Sequence, residues 1–245
     1  MKQGLFQITE NIPLTDSVMR MRLLGDVSDI TCPGQFINIQ LDGLYLRRPI
    51  SVYDRDDSSV TIIYKVVGKG TEQMRNMQIG ETLDVLTGLG NGYDLSLSGE
   101  HPLLLGGGVG VPPLYMLAKE LIAQGKTVSV ILGFNTKNEV FGEEEFRALG
   151  ADVTVTTVDG SYGVKGFVTD AMKTMDYTYF YTCGPEPMLK AIYNVAATEG
   201  QFSFEERMGC GFGACMGCSC KTITGYKRIC KDGPVMKKEE ILWEK

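Results

Sequence analysis

This 245-residue chain has one histidine, one tryptophan and no long uninterrupted apolar run. With His101 as the sole imidazole, neither a histidine-rich metal centre nor a histidine-ligated Rieske cluster can be assembled. The most apolar stretch, "PLLLGGGVGVPPLYMLA" (102–118), is interrupted by glycine and proline and stays below the ~18 residues that a bilayer demands. Basic residues are in deficit too. Lys and Arg total 24 against 30 Asp and Glu, and a net charge of −6 has the wrong sign for a nucleic-acid surface. "MKQGLFQITENIPL" (1–14) carries one lysine and no apolar segment, so no secretory signal is expected, and the cytoplasm is the expected compartment.

Cysteine is what the chain has in concentration. Thiols of a reducing compartment serve metal or redox chemistry more often than disulfides, and an odd count of seven suits a disulfide framework poorly. "CGFGACMGCSC" (210–220) places four of them in one short segment, and Cys230 follows in "RICKDGPV". Cys210, Cys215 and Cys218 stand in C-x4-C-x2-C spacing with Cys230 further on, the plant-type arrangement for a [2Fe–2S] cluster. Thiolates of one loop must face a common centre. Gly209, Gly211, Gly213 and Gly217 allow the tight curl and let backbone N–H groups approach the sulfurs. Zinc is the main rival, but it favours two C-x2–4-C knuckles and only one half of this segment resembles that. The blandest alternative is a chance cluster of inert thiols, the default for Cys32.

Two cysteines compete for the fourth position. Only Ser219 separates Cys220 from Cys218, and binding both would force the chain to reverse within it. Cys230 can return from the far side of "KTITGYKRI", where "TGY" reads as a hairpin turn. Cys210, Cys215, Cys218 and Cys230 are therefore the expected ligands.

Ahead of that segment the rhythm changes once. Up to about residue 99, six short runs rich in β-branched and aromatic residues ("LFQITENI", "VMRMRLL", "QFINIQL", "RPISVYD", "VTIIYKVV", "ETLDVLT") suggest an antiparallel barrel. "GTEQMRNMQIG" (70–80) has the composition of a short helix instead. From residue 101 strands and helices alternate, "PLLLGGG" to "FSFEERMG", as in a parallel sheet covered on both faces.

A one-electron cluster needs a source and a sink. "RRPIS" (47–51) begins with an arginine pair, and Arg48 offers a planar fork to a pyrophosphate, with Ser51 beside a flavin ring; a solvated strand end is the plain alternative. "GKGT" (68–71) opens the short helix, where backbone N–H groups and the Thr71 hydroxyl would form an anion site. "GGGVGVPP" (106–113) lies between strand and helix, as phosphate-binding glycine loops do, although Pro113 takes the place of a third glycine. "CGPEPM" (183–188) ends a later strand at the same carboxyl edge.

Together, R-P-x-S, G-x-G-x-x-P and C-G-P-x-x-M resemble the ferredoxin–NADP reductase superfamily. With "ERMGCGFGACMGCSC" and "CKDGPV" the resemblance narrows to the electron-transfer subunits of class B dihydroorotate dehydrogenases and covers nearly the whole chain. It implies an FAD-binding barrel (1–99), an NAD-binding α/β domain (100–206) and a [2Fe–2S] segment (207–245). FAD would be held by Arg48, Pro49, Ile50, Ser51, Ile63, Tyr64, Lys65, Gly70 and Thr71. NAD would be held by Gly106, Gly108, Gly110, Pro113, Cys183, Gly184 and Pro185. No catalytic acid or base is implied in this chain. Lys65 stands where arginine is usual, which loses the planar fork, and Cys220 is an additional thiol. "NTKNE" (135–139) has no arginine for a 2′-phosphate, so NAD is expected over NADP. The implied partner is an FMN-containing dihydroorotate dehydrogenase catalytic subunit, in a heterotetramer of two of each. Electrons from dihydroorotate would pass through it to NAD+ in pyrimidine (UMP) biosynthesis. The nearest alternative is a reductase subunit of a hydrogenase or a ferredoxin:NADP oxidoreductase complex; a zinc-binding scaffold stands further off.

Overall fold

The computed structural model describes residues 1–243. Six antiparallel strands close into a barrel: β1 (Lys2–Pro13), β2 (Val18–Leu24), β3 (Phe36–Ile39), β4 (Arg48–Arg55), β5 (Ser59–Lys65) and β6 (Thr82–Leu89), in the order β1-β2-β5-β4-β3-β6. Period-two alternation builds its interior. Met19, Met21 and Leu23 of β2 face Val60, Ile62 and Tyr64 of β5, with Phe6 and Ile8 of β1 beside them. Helix α1 (Lys69–Asn76) follows β5 and seals the barrel with Met74.

The second domain alternates as expected: β7 (Pro102–Gly107), α2 (Pro113–Ala123), β8 (Ser129–Phe134), α3 (Glu143–Ala148), β9 (Asp152–Thr157), β10 (Val164–Lys165), α4 (Val168–Met172), β11 (Tyr179–Cys183), α5 (Glu186–Val195) and β12 (Gly200–Ser203). Proline at N1 starts α2, whose fixed φ suits the first turn. Leu114, Leu117, Ala118 and Leu121 repeat at helical spacing and bury one face of it. Two-residue β10 is a strand that hydrophobic rhythm does not mark.

The cysteine segment does not stand apart. A hairpin of β13 (Ser219–Thr222) and β14 (Gly225–Arg228) turns through Ile223 and Thr224, one residue earlier than "TGY" suggested. Then β15 (Val235–Lys237) pairs antiparallel with β12 and becomes the edge of the sheet, which runs β10-β9-β8-β7-β11-β12-β15. Strand β12 stops at Ser203 rather than continuing through "EERMG"; the Phe204 N–H is taken by the Pro234 carbonyl at 2.9 Å. Barrel and sheet meet where Tyr53 of β4 stacks on Tyr115 of α2, ring centroids 4.3 Å apart, and Lys119 pairs with Asp54 at 2.9 Å. Among the described residues no helix is long and apolar enough to cross a membrane.

Candidate redox site

A cleft of about 440 Å³ opens between the barrel and the α/β sheet. Arg48, Pro49, Ile50 and Ser51 of β4 line it together with Ile63, Tyr64 and Lys65 of β5 and Gly70 and Thr71 of α1, so the sequence-predicted flavin contacts converge on one space. Arg48 lies across the start of α1: a Cβ on Gly70 would overlap its Nε and sit 2.8 Å from its Cζ. Arg47 is held by Asp84 at 2.9 Å, whereas no carboxylate among the described residues pairs with Arg48. The Thr71 hydroxyl accepts from the N–H groups of Val67 (2.9 Å) and Gly68 (3.2 Å) and donates to the Gly68 carbonyl (3.1 Å). It therefore shapes the turn, and what the helix start leaves for an anion is its unpaired first-turn N–H groups beside the Arg48 guanidinium. A dinucleotide pyrophosphate fits that pairing of fork and helix start. The far wall, Val109, Ser203–Glu206, Met208 and Pro234, was not legible from sequence, because it comes from loops brought over by the sheet and the cysteine lobe.

The glycine loop and "CGPEPM" also meet. Strands β7 and β11 are parallel neighbours with Gly106 opposite Cys183. The chain builds outward from β7 to β10 on one side and then returns to β11 on the other, so their carboxyl ends flank the topological switch point, where such sheets bind ligands. A Cβ on Gly110 would lie 2.6 Å from the Gly184 Cα, and one on Gly107 would lie 2.5 Å from the Met188 sulfur. Gly108 adopts φ +52 with open space around it, leaving bare backbone on the crevice. Pro113 starts α2 directly behind, and Pro185 caps α5. Cys183 is 1% exposed, and burial, with Glu205 nearby, pushes its thiol far above the ordinary range. It is packed at the end of β11. At the end of β8, the Glu139 carboxylate accepts from the Asn135 backbone and side-chain amides at 3.2 and 3.0 Å. Lys137 is turned onto the Tyr162 ring, 5.8 Å from its centroid.

In the cysteine lobe, backbone N–H groups are already aimed at sulfur. Those of Ala214 (3.2 Å), Phe212 (3.5 Å) and Cys215 (3.5 Å) point at Cys210 Sγ, that of Gly217 at Cys215 Sγ (3.5 Å) and that of Cys230 at Cys218 Sγ (3.4 Å). Gly211 and Gly213 use positive φ to make the curl; Gly209 and Gly217 do not, and Met216 does instead, at φ +60. Burial pushes the Cys210 thiol up, but the N–H groups of Cys215, Phe212 and Ala214, with the Cys215 thiol, outweigh it and bring Cys210 down to about 6. Burial and the adjoining Cys218 thiol push Cys230 up to about 12. The thiols thus come in two pairs, Cys210 with Cys215 and Cys218 with Cys230. That suits a binuclear cluster, which needs two thiolates on each iron. Cys220 instead lines a separate cleft of about 270 Å³ with Glu206, Thr222 and Trp243.

Comparison with known proteins agrees with this geometry. Residues 205–242 match the iron–sulfur cluster binding domain of dihydroorotate dehydrogenase B, and residues 104–194 match an oxidoreductase NAD-binding domain. The dihydroorotate dehydrogenase B (NAD(+)) electron transfer subunit of Fusobacterium nucleatum is 47% identical over 93% of this chain and 94% of that protein. This chain belongs to that family. The Bacillus pumilus subunit of the same name is 44% identical, covering 98% of each chain. A solved chain from an NADH-dependent reduced ferredoxin-NADP oxidoreductase superposes with a TM-score of 0.88 at 31% identity, over 98% of this chain and 90% of that one. The cytochrome b5 reductase domain of Ulva prolifera nitrate reductase shares the fold, with a TM-score of 0.64 at 18% identity over 77% of this chain and 89% of that one. The family resemblance, the barrel-plus-sheet architecture and the electron-transfer role are all borne out: FAD, [2Fe–2S] and NAD are the cofactors of this oxidoreductase subunit.

Proposed function

We propose that this chain relays electrons from the FMN of a separate dihydroorotate-oxidising subunit to NAD+, in a cytoplasmic assembly of two subunits of each kind. When bound, the cluster carries single electrons and FAD exchanges a hydride with the nicotinamide; the chemistry is the cofactors' own. The protein positions them. Arg48 and the start of α1 hold the flavin pyrophosphate, and Ile50, Ser51 and Ile63 lie along the ring. Bare backbone at Gly106–Gly110 and Gly184 admits the nicotinamide nucleotide to the switch-point crevice. Cys210, Cys215, Cys218 and Cys230 hold the irons. The loop after β8 carries a carboxylate, Glu139, bonded to Asn135, while Lys137 is turned onto Tyr162, and the lack of a free cation there among the described residues supports NAD over NADP.

One observation carries the reading. Glu205, Glu206 and Met208 line the flavin cleft, and two residues on the same chain turns into Cys210. Flavin and cluster are thus walled by one continuous segment. Around the cluster loop, Cys215, Phe212 (42% exposed) and Met216 (53% exposed) remain open to a partner.

The purified chain should reduce artificial dyes with NADH and leave dihydroorotate untouched. Adding the FMN-containing subunit should produce NAD-linked dihydroorotate oxidation. Oxidation by this chain alone, or no coupling after mixing, refutes the proposal. Coupling to a ferredoxin:NADP oxidoreductase partner instead would favour the second reading, which rests on the 0.88 TM-score to such a chain.

A further inference from the structure

Strand alternation points Ile37 and Ile39 of β3 into the barrel and turns Phe36 and Asn38 outward. Outward positions on a barrel ordinarily meet water, yet Asn38 is 1% exposed. The cysteine lobe covers it. Phe36 joins Leu86 and Leu89 against Cys218, Ile229, Cys230 and Met236, so Asn38 is an amide sealed beside an apolar contact. Such a group persists only where its bonds matter, since an apolar side chain would be easier to bury.

Its bonding is lopsided. The Nδ2 group donates to the Cys210 carbonyl at 3.2 Å, while Oδ1 has no partner among the described residues. Gly211, at φ +80, lies so close that a Cβ on it would overlap Nδ2. The peptide held in this way begins the curl that delivers the N–H groups of Phe212, Ala214 and Cys215 to the Cys210 sulfur. On the other side, Asn38 lies opposite Pro49 of the flavin strand, and Phe36 lines the flavin cleft.

We propose that Asn38 is a positioning residue for the iron–sulfur cluster. Its amide pins the Cys210–Gly211 peptide to the barrel wall, keeps three N–H donors on the Cys210 sulfur, and so sets the cluster's reduction potential and its placement against the flavin strand. The inference rests on Cys210 being a ligand, as proposed above. Donors to a cluster sulfur favour the reduced, more negative form, so losing them makes the cluster harder to reduce.

The test uses the full chain purified anaerobically, with iron and FAD assayed and the cluster titrated by EPR. Asn38→Leu keeps the size and removes the donor; Asn38→Asp sets a carboxylate against the Cys210 carbonyl; Asn38→Thr retains a donor on a residue suited to a strand. At the potential where the wild-type cluster is half reduced, Asn38→Leu should cut the reduced-to-oxidised ratio about tenfold, equal to about 59 mV for one electron. Asn38→Asp should shift it further and Asn38→Thr less than Asn38→Leu. If the Leu and Asp proteins do not fold, Gly211→Ala presses on the same amide from the loop side and should move the potential in the same direction. Potentials that match wild type in the variants that retain iron and FAD overturn the inference. Wild-type protein without iron would overturn the ligand reading itself, a different failure.

Discussion

The backbone N–H of Cys230 points at the sulfur of Cys218 across 3.4 Å. The β13–β14 hairpin makes that approach possible by folding "SCKTITGYKR" back on itself, with Ser219 opposite Arg228. Cys220 lies inside β13 opposite Lys227, where it lines the cleft with Trp243. Cys230→Ser should therefore lose most of the iron and the cluster absorbance while retaining FAD, and Cys220→Ser should keep both. Iron-to-flavin ratios and visible spectra of the two proteins decide it. The reverse result would transfer the fourth ligand position to Cys220.

Arg228 ties the end of that hairpin to the cysteine loop. It makes three bonds to Asp232, from its backbone N–H (2.9 Å), Nε (2.9 Å) and Nη2 (3.1 Å), and its Nη1 donates to the Gly213 carbonyl at 3.0 Å. Removing this side chain breaks the ties to Asp232 and to the Gly213 carbonyl together. Arg228→Ala should release iron to a chelator on the order of tenfold faster. Arg228→Lys should rescue little of this, because an ammonium cannot span a carboxylate and a carbonyl with one planar fork. Bleaching as slow as wild type in both variants would show that the loop holds itself.

How much of this was legible beforehand follows physical lines. Runs of β-branched and aromatic residues located all six barrel strands, and cysteine spacing singled out Cys210, Cys215, Cys218 and Cys230, because both are local properties of the chain. Gly106–Pro113 and Cys183–Pro185 were readable as loops at one sheet edge, since parallel alternation dictates which strand ends share an edge. What failed to appear depends on long-range closure. Nothing local in "VMK" (235–237) says that it will pair with β12, and nothing in Asn38 says that its outward face will be covered. The Thr71 hydroxyl looked available for an anion until the turn at Val67–Gly68 claimed it. The walls of the flavin cleft contributed by Val109, Ser203–Glu206 with Met208, and Pro234 come from three segments at once.

Arg48 and Gly70 make a matched test of the flavin pyrophosphate site. A guanidinium–phosphate contact is charge-assisted, and losing it costs about 1.5–3 kcal/mol, so Arg48→Ala should weaken FAD binding on the order of 10- to 100-fold. Gly70→Ala would drive a methyl group into Arg48 and displace the same guanidinium without changing any charge. Both variants should shed FAD on dilution, measured by flavin fluorescence, and both should keep their iron. FAD retention at wild-type affinity in both would remove Arg48 from the site.

The nicotinamide crevice depends on two backbones lying almost in contact. Gly110 reaches no positive φ, so an alanine there is not strained by its own backbone; what it lacks is room. Its Cβ would lie 2.6 Å from the Gly184 Cα and overlap the Cys183 carbonyl, and neither obstacle is a flexible side chain that could swing aside. Overpacking of this kind costs about 1–3 kcal/mol and is relieved by moving backbone. The element that moves is one of the two loops that a nucleotide would lie against; Val109 is its contribution to the Arg48 cleft, and the cysteine lobe is built from another segment. Gly110→Ala should therefore raise the KM for NADH in dye reduction on the order of tenfold or more, at about 1.4 kcal/mol per factor of ten. Its flavin and cluster spectra should match wild type. An unchanged KM in a protein that is otherwise intact would mean that the nucleotide is bound somewhere other than the β7–β11 crevice.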